Sequence, residues 1–109
     1  MTIQELLFRL GVLSKSKAYQ PIVYAIELRL SSEGWDPSLK KLQQEVAKVH
    51  ACTYDTFKQN IKHVIDDIWS HNRERLNELA FLELEDKPTV SEFLDILYVY
   101  LARNREQGK

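Results

Sequence analysis

The strongest constraint on this chain is a run of apolar residues between positions 57 and 69. Phe57, Ile61, Val64, Ile65, Ile68 and Trp69 fall at i, i+4, i+7, i+8, i+11 and i+12. That spacing stacks side chains along one face of a helix with 3.6 residues per turn. Lys58, Gln59, Asn60, Lys62, His63, Asp66 and Asp67 fill the positions between them. A strand would scatter the same apolar residues over both faces of a sheet. Clean period-two alternation is missing from the rest of the chain as well. The expected fold class is therefore all-α, a compact domain of six helices.

Start and stop signals place those helices. The first spans about 3–10, opened by Thr2 and Glu5 as a T-x-x-E capping box and closed by Gly11. The second runs from about Tyr19 to Leu30, with Ile22, Ala25, Ile26 and Leu30 on one face and Pro21 tolerated in the first turn. Ser31-Ser32-Glu33-Gly34 breaks it. Asp36-Pro37 opens a third helix that ends near Val49, its stripe made by Leu39, Leu42, Val46 and Val49. After a short connection at 50–52, Thr53 caps the fourth helix, over about 53–72, and Asp55 complements its dipole. A fifth helix covers about 73–82. The sixth follows a second capping box, Thr89-Val90-Ser91-Glu92, and buries Phe93, Ile96, Leu97, Tyr100 and Leu101. Residues from Asn104 onward are expected to fray.

Composition excludes several classes. The 109 residues are enough for one domain, 1–109, with its own core and no need of disulfides or metals. Cys52 is the only cysteine, so neither a disulfide framework nor a Cys-rich metal site is expected. His50, Cys52, His63 and His71 lack the spacing of a four-ligand zinc site. No apolar run approaches the roughly 18 residues of a membrane helix, and the start Met1-Thr2-Ile3-Gln4-Glu5 is acidic where a signal peptide is basic. A cytoplasmic location is expected, with no membrane partner. Asp66 and Asp67, as neighbours, point to different sides of a helix and read as solvated surface rather than a carboxylate pair. Trp35, Trp69 and the tyrosines at 19, 24, 98 and 100 read as core or partly buried platforms. No phosphate loop, nucleophile elbow or metal-binding helix motif occurs. An enzyme is not expected, and neither is a cofactor.

Two amphipathic helices joined by about three residues, the second opening on a Thr cap, make a helix-turn-helix candidate. Ala47 supplies the small residue two crossing helices need, and Phe57 the anchor into the core. The fourth helix then presents Thr53, Tyr54, Thr56, Lys58, Gln59, Lys62 and His63. Gln59 can pair with adenine through two hydrogen bonds, Lys58 and Lys62 can meet guanine or phosphate, and Thr56 and Tyr54 can bond backbone oxygens. The same residue types occur on any solvated helix face, so a helical protein-interaction module without DNA binding is the alternative. Net charge is −1, but unevenly placed: residues 1–62 balance to +3 and residues 63–109 to −4. A basic half beside an acidic half suits a small DNA-binding protein with a separate protein-contacting surface.

The chain also resembles a known family. Leu10-Gly11-Val12, Ala18-Tyr19, Ala25-Ile26, the stretch from Val46-Ala47-Lys48 through Thr53, Ile61 and His63 to Trp69, and Lys87-Pro88-Thr89 with Ser91-Glu92-Phe93 carry the likeness. They resemble the C-terminal DNA-binding effector domain of the sporulation-initiation response regulator, the stage 0 sporulation protein A family. The resemblance implies a six-helix effector domain whose fourth helix enters the major groove of double-stranded DNA. It further implies transcription regulation at tandem short operator boxes, with a homodimer on those sites and the RNA polymerase sigma subunit as partners. The family shows arginines and a glutamate at the positions of Thr56, Lys58, Gln59 and Lys62. Arg and Lys differ at a bidentate guanine contact, so the family's operator does not carry over. The family's phosphorylated receiver domain is not in this sequence, which leaves open an excised effector or a stand-alone relative.

Overall fold

The computed structural model describes residues 2–31, 54–80 and 83–107. Those residues form five helices and no strand: α1 (Ile3–Leu10), α2 (Tyr19–Ser31), α3 (Tyr54–His71), α4 (Arg73–Ala80) and α5 (Val90–Gln107). The all-α expectation is met, and five of the six predicted helices appear where the sequence places them. The other, over 37–49, lies outside the described residues, as do Trp35, Ala47, the connection at 50–52 and Thr53. None of the described helices is long and apolar enough to cross a membrane.

Each helix end has a chemical cause. The Thr2 hydroxyl accepts from the Glu5 N–H at 3.1 Å, and α1 closes on Gly11 with φ +87°. There the Gly11 N–H donates to the Phe8 carbonyl and the Val12 N–H to the Leu7 carbonyl, which satisfies the last carbonyls of the helix. The second capping box is reciprocal: the Glu92 N–H donates to the Thr89 hydroxyl and the Thr89 N–H to the Glu92 carboxylate, both at 3.1 Å. The chain past Asn104 was expected to fray, yet α5 continues to Gln107. Arg105, Glu106 and Gln107 are good helix formers and extend a helix already anchored by buried Val90, Phe93, Leu94, Leu97 and Leu101.

The core follows the apolar stripes. Phe57, Ile61, Val64, Ile65 and Ile68 are all buried, Ile61 completely, as the spacing predicted. They meet Ile3, Leu6, Leu7 and Leu10 of α1, Ile22 and Ile26 of α2, Leu76 of α4 and Phe93, Leu94 and Leu97 of α5 in one cluster. Leu30, Tyr19, Tyr24, Trp69, Tyr98 and Tyr100 are half-buried against it. The last helix packs on α1, α2, α3 and α4, so it is the shared wall of the domain.

A polar joint sets the angle at which α3 enters. Asn72, the single residue between α3 and α4, donates its side-chain amide to the Leu10 carbonyl at 2.9 Å. A Cβ at Gly11 would lie 2.8 Å from that amide nitrogen. Gly11 is thus needed twice, for its left-handed backbone and for the space Asn72 occupies. Ile61→Ala is expected to cost about 2–5 kcal/mol by leaving a cavity, and Gly11→Ala about 1–3 kcal/mol from its backbone angle and the displaced amide. Both are read as lower midpoints in urea unfolding followed by circular dichroism.

Candidate nucleic-acid interface

The face of α3 opposite its buried stripe carries the polar residues singled out by sequence. Thr56, Gln59, Lys62 and His63 are exposed, and Lys58 is half-buried at the edge of the stripe. Tyr54 is the first residue of the helix. Helical geometry divides this face: Lys58 and Lys62, four residues apart, share one flank, while Thr56 and His63 lie toward the other, with Gln59 between them. Asp55 stands in the first turn, where a negative charge complements the helix dipole.

The lysine flank borders a cleft that sequence reasoning did not anticipate. It lies between α3 and the residues leading into α5, with a volume of about 550 Å³. Lys58, Lys62 and Asp66 line one side, and Lys87, Thr89 and Ser91 the other. Lys87 bridges the two sides through an ion pair with Asp66, Nζ to Oδ1 at 2.7 Å, both side chains about half exposed. Asp66 and Asp67 are exposed, in keeping with a solvated face, but Asp66 has a specific partner.

The segment that carries Lys87 is tied down at several points. Arg73 donates to the Leu84 carbonyl at 2.8 Å, and the Leu84 N–H donates to the Asn77 side-chain carbonyl at 2.9 Å. The Arg73 guanidinium also stacks over Trp69, 4.1 Å from the ring centre, which links α4 back to α3. Pro88 is buried, and the Thr89–Glu92 box fixes the first turn of α5. Lys87 had a faint signal in the sequence, as part of Lys87-Pro88-Thr89, but nothing there placed it beside Lys58 and Lys62. His50 and Cys52 lie outside the described residues. Among the described residues no three His, Cys, Asp or Glu side chains cluster to hold a metal.

The exposed face of α3 offers hydroxyl, amide and ammonium donors of the kinds that contact nucleic acid, interleaved with the carboxylates of Asp55, Asp66 and Asp67. The family model described as Sporulation initiation factor Spo0A C terminal matches residues 3–101. The chain belongs to this family. The Spo0A C-terminal family is that of a DNA-binding effector domain of a sporulation response regulator, a helical fold with a helix-turn-helix, concerned with transcription regulation. It is a regulatory rather than a catalytic family. The match runs from the first residue of α1 to Leu101 in the last helix and so covers α1 to α4 whole and the first twelve residues of α5. No curated protein and no solved structure gives a significant match.

Proposed function

We propose that this chain is a sequence-specific DNA-binding regulator domain, a single domain over 1–109, with α3 as its recognition helix in the major groove. The observation that carries the reading is the exposed polar face of α3 on a chain whose family binds DNA. Gln59 and Thr56 stand in the first two turns, the part of a recognition helix that reaches base edges. Lys58 and Lys62 meet phosphate or guanine, and Thr53, Tyr54 and His63 complete the contact set. Lys and Gln in place of the family's arginines and glutamate make its preferred sequence different from the family operator. Pairing of two copies on tandem sites and contact with the RNA polymerase sigma subunit belong to the same proposal.

A second reading is a protein-interaction module that keeps the fold. Phe8 and Leu13 favour it, because they are large, apolar and exposed at 79% and 57%. Leu13 also borders a second cleft, of about 640 Å³, between the 11–16 segment and the C-terminal half of α3.

Anisotropy titration of duplex DNA at two salt concentrations separates the readings. Gln59→Ala is expected to relax sequence preference, by about 1–3 kcal/mol at one base position. Lys62→Ala is expected to weaken binding to every sequence and lower the salt slope by about one unit. Failure of micromolar parent protein to shift any duplex at low salt would leave only the interaction module.

A further inference from the structure

We propose that the DNA backbone runs across the cleft between α3 and the start of α5, and that Lys87 is a phosphate contact supplied from outside the helix-turn-helix. The inference rests on the DNA-binding reading and adds to it a second element, a path for the strand and a role for Asp66.

The first argument is the placement of charge. Lys87 is the only Lys or Arg between Arg75 and Arg103, in a stretch otherwise rich in acids. The fold brings that one cation into the cleft bordered by Lys58 and Lys62. Its acidic neighbours Glu83, Glu85 and Asp86 are exposed but do not line the cleft. Like charges gathered around one cleft, Lys62 and Lys87 among them, repel one another, and an anion placed between them relieves that repulsion.

The second argument is that Asp66 already plays that anion's part. Among the described residues its carboxylate is the one acidic group lining the cleft, and it holds Lys87 at 2.7 Å. A half-exposed pair like this contributes little to stability, so exchanging the carboxylate for a phosphate oxygen is energetically easy. Lys62 is in no ion pair among the described residues, so its charge is not cancelled there. Asp66 is therefore a positioning residue. It keeps Lys87 over the cleft in the free protein and opposes the approaching strand.

The third argument is rigidity. The Arg73–Leu84 and Asn77–Leu84 hydrogen bonds, buried Pro88 and the Thr89–Glu92 box hold the backbone on both sides of Lys87. A phosphate contact on a fixed backbone loses less entropy on binding than one on a free loop.

The test is anisotropy titration of the full chain against random-sequence duplex, between about 50 and 200 mM salt. The variants are Lys87→Ala, Asp66→Asn, Lys62→Ala and Glu85→Gln, the last making the same charge change as Asp66→Asn away from the cleft. Lys87→Ala is expected to weaken binding about three- to ten-fold at the lower salt and to flatten the salt dependence. Asp66→Asn is expected to tighten binding by a factor of about two to five, with a steeper salt dependence because Lys87 then releases a full counterion. Glu85→Gln is expected to do less than Asp66→Asn at every salt concentration. Thermal melts within a few degrees of the parent show that folding is intact. If Lys62→Ala weakens binding but Lys87→Ala does not, the path across the cleft is wrong while the DNA-binding reading stands. Asp66→Asn that binds no tighter than Glu85→Gln overturns the role given to Asp66. If the parent binds no duplex at all, the DNA-binding reading fails and this inference with it.

Discussion

Burial of one face of α3 is the interaction on which the rest of the structure depends. Phe57, Ile61, Val64, Ile65 and Ile68 enter the core together, and each contributes about 1.5–3 kcal/mol by leaving water. An isolated helix of 18 residues with so many polar positions is marginal in water. Its stability comes from the apolar side chains that α1, α2, α4 and α5 present to it. Anchoring the inner face also fixes which way the outer face points. The orientation of Gln59 and Lys62 is thus set by residues that never meet a ligand.

Polar contacts then convert a packed core into a defined geometry. Asn72 ties the end of α3 to the end of α1, and the space it needs is left by Gly11. Arg29 plays a similar part between α2 and α5, stacking over Tyr98 at 3.9 Å and reaching Asp95 at 3.4 Å. Arg73 likewise joins Trp69 to the Leu84 carbonyl. These contacts add little energy individually, since most are partly exposed. Their effect is to hold helix ends, and the start of α5 above all, at fixed positions beside α3.

The charge distribution gains its meaning from that geometry. A net charge of −1 argues weakly against a polyanionic partner when the chain is treated as a bead. In the fold, Lys58, Lys62 and Lys87 border one cleft while Glu83, Glu85 and Asp86 stay out of its lining. Local potential, rather than the sum of charges, governs approach of a phosphate backbone, because screening limits each charge to a range of roughly 8–10 Å.

Much of this protein was determined by the sequence alone. The period of the run from Phe57 to Trp69 required a helix with one buried face, and Thr2, Gly11 and Thr89 marked helix ends by side-chain chemistry that acts within a few residues. The polar set on α3 was legible for the same reason, since residues on one helix have fixed angular relations. The cleft was not legible. Lys87 stands 25 positions beyond Lys62, and no local rule brings two such residues to one surface. Nor could the sequence say that Asn72 needs Gly11 to lack a side chain, or that Asp66 has Lys87 as its partner. Those relations depend on how α1, α3 and α5 pack. Packing is decided by long-range fit between buried faces, which local spacing does not encode.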